Sequence, residues 1–161
     1  MIKKIFGRGT TSDIRPQRRD RTIIQHRAAA LPDGKVIRFR HILIVEDNVD
    51  EAISLVKAIK LHYRAGAVTV LIAFSYAAAV ELFSEYECNL VIMDKNLKDE
   101  QGDGVLLTGE FLKQKSDLII LANSSDYNFN RELLAAGAIE VIGKSPRQLR
   151  NWLWSHDNLW Q

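Results

Sequence analysis

LVIMDKNL, residues 90–97, runs four apolar residues into a carboxylate, Asp94, followed by a cation and an amide. A charge at the tip of a core strand is costly to bury unless something pairs with it, so the rest of the chain must supply its partners. With the preceding Asn89 this run is the third of five: HILIV (41–45), AVTVLIAF (67–74), NLVIM (89–93), DLIILA (117–122) and AIEVI (138–142). Each is continuous rather than alternating, the pattern of a parallel strand covered on both faces.

Segments of helical periodicity lie between the runs. Asn48, with Glu51 three residues on, can cap a helix whose apolar face is Ile53, Val56 and Ile59 with the Ala52, Leu55 pair, closed by Gly66. Ser75 caps a second, carrying Ala79, Leu82, Phe83 and Tyr86. A third runs from about Val105 through Phe111, and a fourth from about Asp126 to Ala136 with Gly137 as its stop. The fifth opens at Ser145-Pro146, a cap followed by proline at the first helical position. Alternating strands and helices of this length predict right-handed crossovers and an α/β fold. A flavodoxin-like (βα)5 doubly wound parallel sheet of strand order 2-1-3-4-5 is the economical solution, over residues 41–161.

The 161 residues suffice for one domain with a sizeable core plus an extension. The net charge of +2 conceals an asymmetry. Residues 1–40 carry 11 Lys and Arg against 3 Asp, giving +8, and residues 41–161 carry 11 against 17 Asp and Glu, giving −6. Residues 1–40 are therefore read as a basic, partly flexible arm, with a short ordered stretch within IIQHRAAALPDGKVIRF. Such an arm could neutralise nucleic-acid phosphates, but it offers no helix or aromatic to read bases, so nucleic acid ranks below a solvated tail. The lone Cys88 excludes an intramolecular disulfide, reads as a small buried hydrophobe, and fits a reducing, cytoplasmic setting. No apolar run approaches the ~20 residues of a membrane span, and the basic start lacks the apolar core of a secretory signal.

In open parallel sheets ligands sit beyond the carboxyl ends of the strands. The first run ends in Glu46-Asp47, the third in Asp94, the fourth in Asn123-Ser124-Ser125 and the fifth in Gly143-Lys144. Carboxylates gathered there would repel unless a cation sat among them, and oxygen-only ligands favour a hard ion such as Mg²⁺. A hydroxyl and an ammonium opposite that ion complete a cradle for a phosphoryl group, and Asp94 is placed to be its nucleophile.

ILIVED, VIMD with Asn two residues later, a Ser thirty residues after that Asp, and GAIEVIGK, taken in order, resemble the receiver domain of two-component response regulators, CheY-like, over about residues 41–160. The resemblance implies that Asp94 accepts a phosphoryl group from a sensor histidine kinase or histidine phosphotransfer protein. It implies that Asp47 and Asp94 hold Mg²⁺ directly, Glu46 through water, and Asn96 through its backbone carbonyl. Ser124 stands at the family's switch hydroxyl and Lys144 at its phosphate-pairing lysine. The chain departs from the family pattern in four places. The loop KNLKDEQGDG is longer before Gly104; Ser145 separates Lys144 from Pro146; Val141 stands where an aromatic often lies; and no output domain is expected after the fifth helix. A stand-alone receiver acting through contacts with an output protein is the expected function, and a homodimer is one arrangement it allows. As an enzyme it would act only on itself.

Two other readings compete. A phosphorylation-independent binding module on the same fold is suggested by Val141 and the Lys-Ser-Pro turn. A Mg²⁺-dependent aspartyl-phosphate phosphatase would want an acid where Asn96 stands. GAIEVIGKS is not a phosphate loop, because AIEVI is a core strand. The histidines lack ligand-like spacing; His62 reads as a dipole or solvent contact at a helix end. Trp152 reads as core, whereas Trp154 falls off the apolar face and Trp160 lies at the chain end; either could cover the arm or meet a partner, with packing within the domain the favoured reading. Tyr127 and Phe129 on the fourth helix are further partner candidates.

Overall fold

The computed structural model describes residues 4–6 and 20–160. Part of the expected basic arm, residues 1–3 and 7–19, lies outside the described residues. The elements in chain order are β1 (Lys4–Phe6), β2 (Arg21–Arg27), β3 (His41–Val45), α1 (Val49–His62), β4 (Ala67–Ala73), α2 (Tyr76–Glu85), β5 (Leu90–Met93), α3 (Gly104–Gln114), β6 (Ile119–Ala122), α4 (Tyr127–Ala136), β7 (Glu140–Val141) and α5 (Pro146–His156).

They build a seven-stranded sheet of order β1-β2-β4-β3-β5-β6-β7. Its parallel part, β4-β3-β5-β6-β7, is the 2-1-3-4-5 order expected of a flavodoxin-like fold. The strands are buried on both faces because successive residues serve opposite cores. Ile42 and Ile44 join Leu55, Ile59, Trp152 and Leu153 beneath α1 and α5. Leu43 and Val45 join Leu82, Leu107, Phe111 and Leu133 beneath α2, α3 and α4. That double burial is why the strands read as unbroken apolar runs.

The sheet extends beyond the five expected strands. β2 pairs antiparallel with β4, in register from Arg21 opposite Ala73 to Arg27 opposite Ala67, and β1 adds in parallel outside it. Ile23 and Ile24 enter opposite cores. Arg21, 1% exposed, runs into ion pairs with Glu81 and Glu85 of α2. A guanidinium this deeply desolvated is tolerable only when its charge and fork geometry are matched, which two carboxylates on one helix face do.

Asn48, Ser75 and Ser145 cap α1, α2 and α5 as their spacing predicts. The cap of α4 is Asp126, whose carboxylate accepts from the Phe129 amide, rather than Ser124 or Ser125. Gly66 does not close α1, which ends at His62; its positive φ serves the turn into β4. Cys88 and Trp152 are buried, and burial pushes the Cys88 thiol up to about 12.

His62 differs from expectation. It is buried, and its Nε2 donates to the Asp157 carbonyl at 2.8 Å. Asp157, just past α5, is a hub: its carboxylate accepts from the Arg38 and Phe39 amides and, at 2.6 Å, from the Tyr63 hydroxyl. One buried carboxylate thus ties the segment entering β3 to the ends of α1 and α5. Burial and the bond to Asp157 hold the Tyr63 phenol well above its ordinary value.

Asp157→Ala leaves a phenol and two backbone amides without their acceptor, and a loss of about 3 kcal/mol is expected in urea unfolding. Burial lowers the pKa of both His26 and His62 from 6.5, so the fold keeps them neutral. Below that value the unfolded chain takes up protons that the folded chain refuses, so their contribution falls as pH drops. Glu46 and Asp94, with raised pKa values, act in the opposite sense. The histidine contribution is therefore read as a difference: between pH 7 and 5, a His26→Gln/His62→Gln variant gains unfolding free energy relative to wild type.

Candidate functional site

The strand ends meet as the sequence predicts. Glu46, wholly buried, and Asp47 end β3, Asp94, 3% exposed, ends β5, and an oxygen of each lies within 4.8 Å of the others. The Asp94 amide is held by the Val45 carbonyl at 3.0 Å, which continues the β3-β5 register to the acidic residues themselves. The three acids provide a hard, all-oxygen ligand set.

Lys144 provides the charge that makes this cluster tolerable. Its Nζ donates to Glu46 Oε2 at 3.1 Å, to Asp94 Oδ2 at 3.2 Å, and to Glu51 of α1. Glu51 was expected only as a capping-box partner, and its part in this site was not foreseen. Burial pushes Glu46 up to about 8, helped by the charge of Asp94, against the pull of Lys144. Burial also raises Asp94, with Lys144 opposing. Burial lowers Lys144, but its bond to Glu51 and the charges of Glu46 and Asp94 outweigh it and hold the ammonium above its ordinary value.

The backbone around Lys144 replaces the family's Lys-Pro turn. Gly143 and Lys144 both have positive φ, 62° and 60°, and no described peptide bond is cis. A left-handed lysine costs about 1–2 kcal/mol. It is held there by its amide, which donates to Asn123 Oδ1 at 2.8 Å, and by its three carboxylate partners. Ser145 then caps α5, and Pro146 takes the first helical position.

Gly104 governs the other wall. A Cβ at this position would lie 2.0 Å from the Asp94 carbonyl oxygen, and the Gly104 amide donates to the Lys95 carbonyl. The loop therefore returns tightly against the end of β5 despite its extra length. The surplus bulges outward through Lys98, at φ 51°, and docks through Asp99, whose carboxylate accepts from the Tyr76 amide at the start of α2.

Ser124 is 3% exposed and its Oγ accepts from the Asp126 amide. Asn130 of α4 grips its backbone twice, accepting from the Ser124 amide at 2.9 Å and donating to its carbonyl at 2.8 Å. Asn130 was missed as well, an amide on the inner face of a helix being the available signal. Asp47, Asp94, Asn96, Ser124 and Lys144 together line a cleft of about 170 Å³. Val141 is 39% exposed on β7, and Lys95 lies 4.1 Å over the Phe129 ring beside the cleft.

A sequence model described as the response regulator receiver domain matches residues 42–153. The aerobic respiration control protein ArcA of Escherichia coli strain K12 is 35% identical over 112 residues, 68% of this chain and 44% of ArcA. The chain thus spans less than half the length of that relative. The receiver domain of NtrX from Brucella abortus superposes with a TM-score of 0.61 at 23% identity, covering 71% of this chain and 95% of that one. Vibrio cholerae chemotaxis protein CheY4 gives 0.60 at 17% identity, covering 73% and 98%. These structural likenesses establish the fold, and the matched sequence, with its acidic pocket at the strand ends, places the chain among the response regulator receiver domains of two-component systems.

Proposed function

We propose that the chain is a phosphorylation-switched receiver whose acceptor is Asp94. The observation that carries this reading is a nearly buried carboxylate at a strand end, already paired with an ammonium and crowded by two further acids. Such an arrangement is poorly suited to stability alone, because a buried charge cluster offers little net gain over apolar packing. It suits a group transfer in which charge must be gathered and then neutralised.

The donor would be a phosphohistidine on a sensor kinase or phosphotransfer protein. Asp94 Oδ attacks phosphorus in line, the P–O bond forms as the P–N bond breaks, and the imidazole leaves with the electron pair. Lys144 can exchange a carboxylate partner for a phosphoryl oxygen without leaving the cleft. The Ser124 hydroxyl stands ready to donate to another. The oxygen donors fit Mg²⁺, which Asp47, Asp94 and the Asn96 carbonyl would hold with Glu46 behind them; once bound it would neutralise charge on the phosphoryl oxygens. Hydrolysis of the acyl phosphate resets the domain, so its only catalysis is on itself. Output passes to a partner protein, and the cytoplasm is the setting in which kinase and receiver meet.

A module that binds without phosphorylation is the second reading. Asn130 already holds both backbone groups of Ser124, and Val141 replaces the side chain that often moves with the switch hydroxyl.

Acetyl phosphate or phosphoramidate with Mg²⁺, read by intact mass, is expected to add one phosphoryl group to the wild type and none to Asp94→Asn. No adduct, together with no response to beryllofluoride while Mg²⁺ binds, would give the second reading the field. Gly104→Ala forces the acceptor loop off the Asp94 carbonyl, and its phosphorylation rate is expected to fall at least tenfold, in line with the cost of misplacing a nucleophile by an ångström.

A further inference from the structure

The α1 and α5 side of the molecule carries a feature that phosphoryl transfer does not use. Two adjoining hollows of about 490 and 220 Å³ share His62, Arg150 and Trp154. Around them Leu61, Trp154 and Trp160 are 55%, 47% and 37% exposed. Arg147 and Arg150 rise from α5, and the Arg64 guanidinium lies 4.9 Å from the centre of the Trp160 ring. None of these three arginines pairs with a carboxylate among the described residues.

The charge is segregated. Arg64 follows α1 and lines one hollow, and residues 146–156 contain Arg147 and Arg150, which line the other, and no Asp or Glu. Yet residues 41–161 as a whole carry −6. Such a patch selects a polyanion by charge.

Which polyanion follows from the shapes available. An extended peptide gains affinity by adding to a sheet edge, and this face is helical. A docked helix needs a continuous apolar groove, whereas here the apolar groups are one leucine and two indoles separated by cations. Exposed indoles interleaved with unpaired guanidinia match a single strand, whose bases stack and whose phosphates pair. We propose that this face binds single-stranded nucleic acid, with Arg64, Arg147 and Arg150 on phosphates and bases stacked on Trp154 and the open side of Trp160. The assignment is independent of chemistry at Asp94.

The test titrates the full chain into a labelled oligothymidylate of about 15 nucleotides, within reach of the site sizes typical of single-strand binders. Anisotropy gives affinity and tryptophan emission reports stacking. Trp154→Ala is expected to weaken binding by about tenfold or more and to remove the share of the quenching that Trp154 contributes, leaving that of Trp160. Arg147→Ala/Arg150→Ala is expected to reduce the slope of log affinity against log salt by about 1.4, two phosphate contacts on a single strand. All three side chains are exposed, so unchanged thermal unfolding should accompany both variants. The basic residues near the amino terminus add a background common to every variant. Binding left intact by both variants assigns it to that background and overturns the proposal, as does no binding at all. Tighter binding of polyglutamate than of the oligonucleotide at equal salt would replace the nucleic acid with an acidic protein segment.

Discussion

One ammonium holds the carboxyl edge of this sheet together. Lys144 touches Glu46, Glu51 and Asp94, which arrive on β3, α1 and β5. Without it three carboxylates would be forced together in a low-dielectric pocket, where like charges shift one another's protonation rather than coexist ionised. The constraint reaches into the backbone, since Lys144 adopts a left-handed conformation to deliver that ammonium. Asn123, at the end of β6, secures the turn through the Lys144 amide. Three neighbouring strand ends, of β3, β5 and β6, and the first turn of α1 are thus committed to positioning one cation, and α5 begins immediately after it.

The opposite edge solves a different problem. β4 would be an exposed, apolar sheet edge, a template for unwanted pairing. β2 covers it, and Arg21 fastens β2 to the outside of α2. Asp157 then fastens the segment after β2 to the ends of α1 and α5. β2 is therefore part of the domain's packing, with both cores continuing into Ile23 and Ile24.

The parallel sheet and the acidic cluster were legible because each rests on local patterns. Continuous apolar runs announce doubly covered strands, and residues ending those runs fall at the carboxyl edge whatever the loops do. β2 was less legible because two isoleucines between polar neighbours make no period; its identity depends on β4, far away in sequence. Glu51 and Asp157 were hidden for the same reason, and Asn130 because nothing in the local pattern says that a helical amide turns back onto the strand end before it. Each reads locally as a first-turn acid, a helix-end aspartate or a helical amide, and acquires its meaning from partners 93, 119 and 6 residues away. His62 was misread because a histidine in a last helical turn usually faces solvent, whereas here the Asp157 carbonyl lies over it.

The distribution of anchors also says which parts would yield if a phosphoryl group were added to Asp94. α5 leaves Lys144 directly but buries Leu149, Trp152 and Leu153 and ends at the Asp157 hub, so it is fixed at its far end. α4 buries only Asn130 and Leu133 and exposes Tyr127 at 73%. Its firmest tie to the cleft is polar, the double grip of Asn130 on Ser124. Were the Ser124 hydroxyl to turn and donate to a new acceptor at Asp94, the oxygen that now accepts from the Asp126 amide would move with it, and Asp126 is the cap of α4. The cheapest rearrangement open to the cleft is therefore a shift of α4 and its capping turn, with α1 and α5 as the stationary frame. Low local burial is what permits such motion, and tight burial is what gives it something to move against.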